Sequence, residues 1–468
     1  MNRYPRRLVL TLTLVFAVSA GLGCNGSLTD DDDDDSTAAA YEDPQVSDVS
    51  LSIHETISSI VVVSWEQLAT ASAFVSYGFD DGVWQTSPAR DLEPGAHTVL
   101  LPGIPYATAV TVRVVNDFGD GPLEDDDRSI ETGPLPEGAP VPVLEGADPA
   151  GWDPAVHYVM GSIDEPGGGL ADYWTFILDR QGRVVWALKS PHFRSTLHAQ
   201  PSYDGTQLLV DNNTFWAIFD GGAASQVQRL TLDGAQVELH DTPGLHHPFT
   251  ELDDGSLVWG AIQGYDERLE KMSPEGDITT LWHCSDFHGS IEGVPESAYC
   301  ASNTLRWNEA TDTFLMSFYS TETVVEVDHA SGQVLRYYGH LPGAYAFDPE
   351  DSAFWWQHGC HYTDDGTLLV STRNLPHGDE TLVREYEIDD DAQTLRQVWT
   401  FGASEGVYGS EMGEAHRLPG GNTLHNYGSG ARIREVTPDG QVVWDVLWTD
   451  STFLGRTTAL EDLHPFLP

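Results

Sequence analysis

Histidine is the residue type whose placement in this chain first points to chemistry. His198, His246, His247, His358, His361 and His416, together with Asn303, stand just upstream of Asp-Gly-type turns. The step from His247 to Gly255 equals the step from His358 to Gly366. A residue type that recurs at one phase of a repeat marks a shared surface, because repeats place equivalent positions side by side. Imidazoles gathered there can act as nucleophile, general base or metal ligand. Polar packing that satisfies buried backbone groups is the plainer alternative. A metal is not expected, because no tight ligand pair of the His-x-Glu-x-x-His kind occurs. The run His358-Gly359-Cys360-His361 also puts its side chains on alternating faces of a strand.

The elements that must hold these side chains follow from a repeat. A turn leading into a strand recurs as Gln181-Gly182-Arg183-Val184-Val185-Trp186, Asp233-Gly234-Ala235, Pro274-Glu275-Gly276, Ser331-Gly332-Gln333, Asp391-Ala392-Gln393 and Pro438-Asp439-Gly440. Between these copies lie apolar strands opened by Asp-Gly, such as Asp365-Gly366-Thr367-Leu368-Leu369-Val370. Helical periodicity is nearly absent. Six copies of a four-stranded unit predict an all-β protein built as a six-bladed β-propeller over residues 140–468. Upstream, short alternating runs at Ile60–Trp65, Ala73–Tyr77 and Val110–Val115 have sandwich spacing. With Trp65 on an early strand and Tyr106 before a late one, residues 45–133 resemble a fibronectin type III module. The Pro/Gly-rich run Gly133–Pro140 is expected to be a linker.

Residues 1–23 have the form of a signal peptide, with Arg3, Arg6 and Arg7 ahead of an apolar stretch. Its end, Gly21-Leu22-Gly23-Cys24, resembles a bacterial lipobox, which implies lipidation of Cys24. The unbroken Asp30–Asp35 run within residues 24–44 is expected to be an extended acidic tether. The protein is therefore expected to be an exported lipoprotein, periplasmic on the outer membrane or at the cell surface, meeting membrane only through that anchor. With 73 Asp plus Glu against 22 Lys plus Arg, the formal charge is −51. Phosphate backbones would be repelled, so nucleic acid is excluded as a general partner. Removing the three signal arginines deepens the side-chain charge to 19 − 73 = −54.

The phrases Phe354-Trp355-Trp356-Gln357-His358, His416-Arg417-Leu418-Pro419-Gly420-Gly421-Asn422, Glu435-Val436-Thr437-Pro438-Asp439-Gly440 and Gly455-Arg456-Thr457-Thr458 resemble the bacterial arylsulfate sulfotransferase family over most of residues 140–468. The resemblance implies transfer of a sulfuryl group from a phenolic sulfate to a phenol through a sulfohistidine, without a cofactor. It assigns the nucleophile to His358, in a Gln-His motif, and a supporting role to His247 or its neighbour His246. The family's Trp-x-His-x-Asn motif corresponds to a stretch that keeps Asn303 but has Ala301 in place of the His. The strand that in the family ends in Ser-Arg ends here in Met316-Ser317-Phe318-Tyr319, without the Arg.

Charge builds on the sulfuryl oxygens and on the departing phenolate, so a cation must stand ready there. Arg373, at an analogous strand end, is the expected substitute, and His288 is a candidate for the displaced His. His416 is placed to protonate the leaving phenolate, and His198, His246, Asn303 and His361 are expected to bind substrate. A surface-anchored propeller that binds a ligand or partner without turnover is the alternative. Of the cysteines beyond Cys24, Cys284 and Cys300 are expected to pair after export, although Cys360 could pair with either.

Overall fold

The computed structural model describes residues 41–468 apart from 80–82, 168, 265 and 296–297. The signal segment, Cys24 and nearly all of the acidic tether lie outside the described residues. Tyr41–Pro468 is one compact unit, and it is all-β, with only short helical turns. Among the described residues no helix is long and apolar enough to cross a membrane.

Two antiparallel sheets come first. Val46–Ile53, Val61–Gln67 and Gly95–Leu101 form one; Ala71–Phe79 and Ala109–Asp117 are the centre of the other. Strict alternation in Val61–Gln67 turns Val61, Val63 and Trp65 inward, where they meet Val75, Tyr77 and Val112. This sandwich is fastened to the rest of the chain. Ile57 and Ile60 join the apolar cluster of Trp186, Leu208 and Leu230. The Ser59 hydroxyl donates to the Val185 carbonyl at 2.7 Å, and the Ala187 N–H donates to the Tyr106 hydroxyl at 3.1 Å. The Pro/Gly-rich run is a packed strap, since Gly133 N–H bonds Ser58 O at 2.7 Å and Leu135 and Ala139 cover a core cluster.

Beyond the strap, six sheets follow among the described residues, antiparallel except where Ala346–Asp348 runs parallel to Thr394–Phe401. Four take their strands consecutively from the chain, and a fifth does so except for Val143–Ala147, which it adds as an outer strand beside Val442–Leu447. Their first strands, setting aside the outer additions Val143–Ala147 and Ala346–Asp348, are Ala199–Pro201, Leu245–Glu251, Ser302–Asn308, His358–Tyr362 and Glu414–Arg417. The remaining sheet is composite: Tyr158–Asp164, Tyr173–Asp179 and Val184–Lys189 come from the beginning, and Leu454–Leu460 from the end. That last strand pairs antiparallel with Tyr158–Asp164 and occupies the first-strand place.

The repeated turn of the sequence joins the third and fourth strands of each sheet. Its glycines have φ between +66° and +93° in five copies, and Gln393 adopts the same left-handed geometry at φ 51° in the other. The aromatics that close several copies link neighbouring sheets. The indole N–H of Trp186 donates to Leu232 O at 2.6 Å, that of Trp399 to Pro438 O at 2.9 Å, and that of Trp444 to Arg180 O at 2.9 Å. Trp444 thereby binds the sheet of Glu414–Arg417 to the composite one. Trp444 is fully buried, so Trp444→Ala is expected to lower unfolding free energy by about 3–5 kcal/mol. Denaturant unfolding checks this; a loss within about 0.5 kcal/mol of zero would show that the sheets close without that link.

Candidate functional site

The first strands of the sheets converge, and their side chains bond across from strand to strand. Gln357 is fully buried; its amide donates to Phe318 O at 3.1 Å and Thr323 O at 3.3 Å. Asn303 returns the link, with its amide donating to Gln357 O at 2.7 Å. The residue before His358 is therefore clamped to the neighbouring sheet. Gly359, just after it, has φ +75°, and the pairing slips there between His358↔Ser371 and Cys360↔Val370. Its N–H donates to the Thr304 hydroxyl at 2.9 Å, and a Cβ at this position would stand 2.4 Å from Glu414 Cβ. The bulge and the clamp together fix where the His358 side chain leaves the strand.

His358 faces a cavity of about 340 Å³ shared with His247, Asn303, Ala301, Tyr319, Trp216 and Met412. A narrow inner extension is lined by His358, His247, Asn303, Leu197 and Arg456. Desolvation pulls the His358 imidazole down to about 4; a hydrogen bond to the Trp356 backbone opposes this, and the Arg456 charge adds to it. The ring is thus neutral at pH 7. Its ring centre lies 4.9 Å from that of Tyr319, the two rings tilted at 54°, and burial holds the Tyr319 phenol above its ordinary value. His247 is lowered well below the usual imidazole range by burial, then by His246, His358 and Arg456. Its Nδ1 is buried without a hydrogen-bond partner.

Arg456 sits on the closing strand and supplies the positive charge. Its Nη2 donates to Asn303 O at 2.8 Å and to the Thr304 hydroxyl at 2.9 Å, while its Nη1 is buried without a hydrogen bond. Burial pulls the guanidinium down to about 10 against the pull of Glu414, which leaves it charged at neutral pH. Glu414 Oε2 lies 3.9 Å from Nη1 and accepts from Arg306 at 3.0 Å. Its Oε1 accepts from the Thr457 N–H at 2.6 Å. Burial alone would raise the Glu414 carboxyl; His416, Arg456 and Arg306 reverse that and hold it well below the usual range.

Of the residues expected from sequence, His358, His247 and Asn303 are brought to the cavity. His246 is one step removed: its ring nitrogens face Gly260 O at 3.1 Å and Ser302 O at 2.8 Å, so it braces the wall. His416 and His361 stack on each other at 5.5 Å and are not among the lining residues; His416 instead lies 3.0 Å from Glu414. His198 is fully buried with both ring nitrogens unpartnered and packs on Phe249 at 4.8 Å. Arg373 does not line the cavity. It lies between Trp356 and Tyr408, with Asp379 at 3.4 Å. His288 packs against the sulfurs of Cys284 and Cys300, which are joined as a disulfide, while Cys360 is a buried free thiol. Tyr319 occupies the wall where the family pattern has Arg, and Ala301 lines the cavity where it has His.

Arg456 was missed as the cation, although its Gly-Arg-Thr-Thr phrase is among the motifs that carry the resemblance. It falls on the strand that returns from the chain end, outside the Asp-Gly phase by which the other positions were found. The steric part of the site is open to a direct comparison. Gly359→Ala and Gly366→Ala both force alanine into left-handed backbone, at φ +75° and +78°, but only position 359 lacks space for a Cβ. We expect Gly366→Ala to cost about 1 kcal/mol and Gly359→Ala clearly more. Equal losses in denaturant unfolding would mean that the close approach to Glu414 does not constrain the strand.

An all-β body whose sheets converge on a histidine–arginine cavity is the class defined by this geometry. The Arylsulfotransferase (ASST) family model matches residues 171–449, more than half of the chain. The chain belongs to that family. No curated protein matches it. Similar solved structures include a protein of unknown function from Bacteroides caccae, at 14% identity over 64% of this chain and 98% of that one, with a TM-score of 0.42. Virginiamycin B lyase from Staphylococcus aureus is similar at 12% identity over 64% and 87%, TM-score 0.36. A protein from Lactobacillus plantarum is similar at 10% identity over 83% and 99%, TM-score 0.40.

Proposed function

We propose that the six sheets are the blades of a six-bladed propeller, that residues 45–133 are a fibronectin type III-like module, and that the cavity transfers a sulfuryl group from a phenolic sulfate to a phenol. The observation that carries the reading is a neutral, half-buried His358 sharing its cavity with the buried, charged Arg456. Family membership supports the substrate class, an aryl sulfate donor and a phenol acceptor.

In the first step the unprotonated His358 nitrogen attacks sulfur and the bond from sulfur to the aryl oxygen breaks. The aryloxide leaves and takes a proton from water, and the ring carries the sulfuryl group as a cationic N-sulfo-imidazole. In the second step the acceptor phenol oxygen attacks sulfur while its proton passes to His247 Nδ1 and on to water, and His358 is restored neutral. Arg456 Nη1, which has no hydrogen-bond partner in the protein, faces the charge that builds on the sulfuryl oxygens, where such a donor contributes most. Tyr319 and Trp216 give the aryl ring an apolar wall. Residues 1–23 and Cys24 support export and lipid anchoring by sequence pattern; incorporation of labelled fatty acid that is lost in Cys24→Ala is the expected result.

Turnover of a chromogenic aryl sulfate with a phenol acceptor is the test. His358→Ala is expected to fall to background, and Arg456→Ala to lose ~10²–10³ in rate, with Arg456→Lys recovering part of it. Protonation removes the attacking lone pair, so kcat/KM should fall below an apparent pKa of about 4 and stay level up to neutrality. An acid limb at the ordinary imidazole pKa, or transfer by His358→Ala at the wild-type rate, would overturn the assignment.

A further inference from the structure

Two residues before His358, Trp356 has φ +50°. A bulky side chain rarely occupies that region, and such strain persists where the surroundings impose it. Core packing is not the reason, because the indole is 41% exposed. The ring is fixed nonetheless. It meets the Tyr319 ring edge-on at 5.2 Å. The Arg373 guanidinium lies 5.2 Å from the Trp356 ring centre and 5.0 Å from that of Tyr408, itself 46% exposed. Arg373 Nε is buried without a hydrogen-bond partner, and the carboxylate nearest its Nη2, Asp379 at 3.4 Å, is 81% exposed and so weakly held. Tyr319 lines the cavity and touches Trp356, so the Trp–Arg–Tyr stack adjoins the cavity through that ring, with none of its three members in the lining.

We propose that Trp356, Arg373 and Tyr408 form an outer aryl subsite for phenols that carry an anionic ring substituent, a carboxylate in particular. The inference rests on the sulfuryl-transfer reading, which puts the sulfuryl group at His358 and Arg456 and so directs the far end of the aryl ring outward. The aromatic faces recognise the ring and the guanidinium recognises the substituent. In a chain of net charge −51, a local cation beside the cavity offsets the repulsion that an anionic ligand meets on approach.

The test compares 4-hydroxybenzoate with neutral 4-hydroxybenzamide, by equilibrium binding to the purified full chain and as acceptors in turnover. Arg373→Gln is expected to weaken 4-hydroxybenzoate ~10-fold or more, as for a charged hydrogen bond, and to change 4-hydroxybenzamide by less than about twofold. Trp356→Leu should weaken both ligands by similar factors. If Arg373→Gln does not fold, Arg373→Lys serves: it should keep the preference for the benzoate while losing part of the affinity for both. Equal affinity of the wild type for the two ligands, or equal losses in Arg373→Gln, overturns the subsite. Because binding needs no sulfuryl transfer, charge-selective binding without turnover would overturn the transfer reading and leave the subsite standing. Turnover without charge selectivity would do the reverse.

Discussion

The pairing of Leu454–Leu460 with Tyr158–Asp164 is the constraint on which the rest depends. It completes the composite sheet from both ends of the folded region and delivers Arg456 to the point where the first strands meet. A buried guanidinium is tolerable only where carboxylate and carbonyl acceptors surround it. Glu414, Asn303 O and Thr304 meet that need, and each comes from a different sheet than Arg456 does. The closing strand therefore does two jobs through one side chain: it locks three sheets together and it charges the cavity.

The same desolvation leaves the groups gathered there in different charge states. It holds His358 and His247 neutral, which makes them available as nucleophile and proton acceptor. It lowers Arg456 as well, but from so high a starting value that the guanidinium stays charged. Glu414 remains ionised because cations flank it. Neutral imidazole beside fixed positive charge is the combination that attack on a sulfate ester requires, since the nucleophile must be unprotonated while the oxygens around sulfur need stabilising.

Much of this was legible in the chain. The turn repeat located the sheets, and the phase of His247 and His358 against their following glycines located the cavity wall. Gln357 and Asn303 were recognisable as motif residues, though not as the two halves of one clamp between sheets. The cation was not found by phase, because Arg456 lies on a strand whose partner is nearly three hundred residues upstream in sequence. Arg373 matched a strand end by analogy, but its strand puts it against Trp356 and Tyr408 and not in the cavity lining. His361 and His416 share the repeat phase and stack on each other beside Glu414, so a common phase predicted a common region rather than a common cavity. The Pro/Gly-rich run reads as a linker by composition, yet Leu135 and Ala139 give it apolar contacts that composition does not reveal.

In the proposed transfer the sulfuryl group passes through the His358 ring with Arg456 facing it. Mass spectrometry of the peptide containing His358, quenched at alkaline pH during reaction with an aryl sulfate and no acceptor, tests this most directly. One added sulfuryl group on His358 is expected, lost when a phenol is supplied and strongly reduced in Arg456→Ala. Turnover without any modified His358, or a sulfuryl group found on another residue, would contradict it.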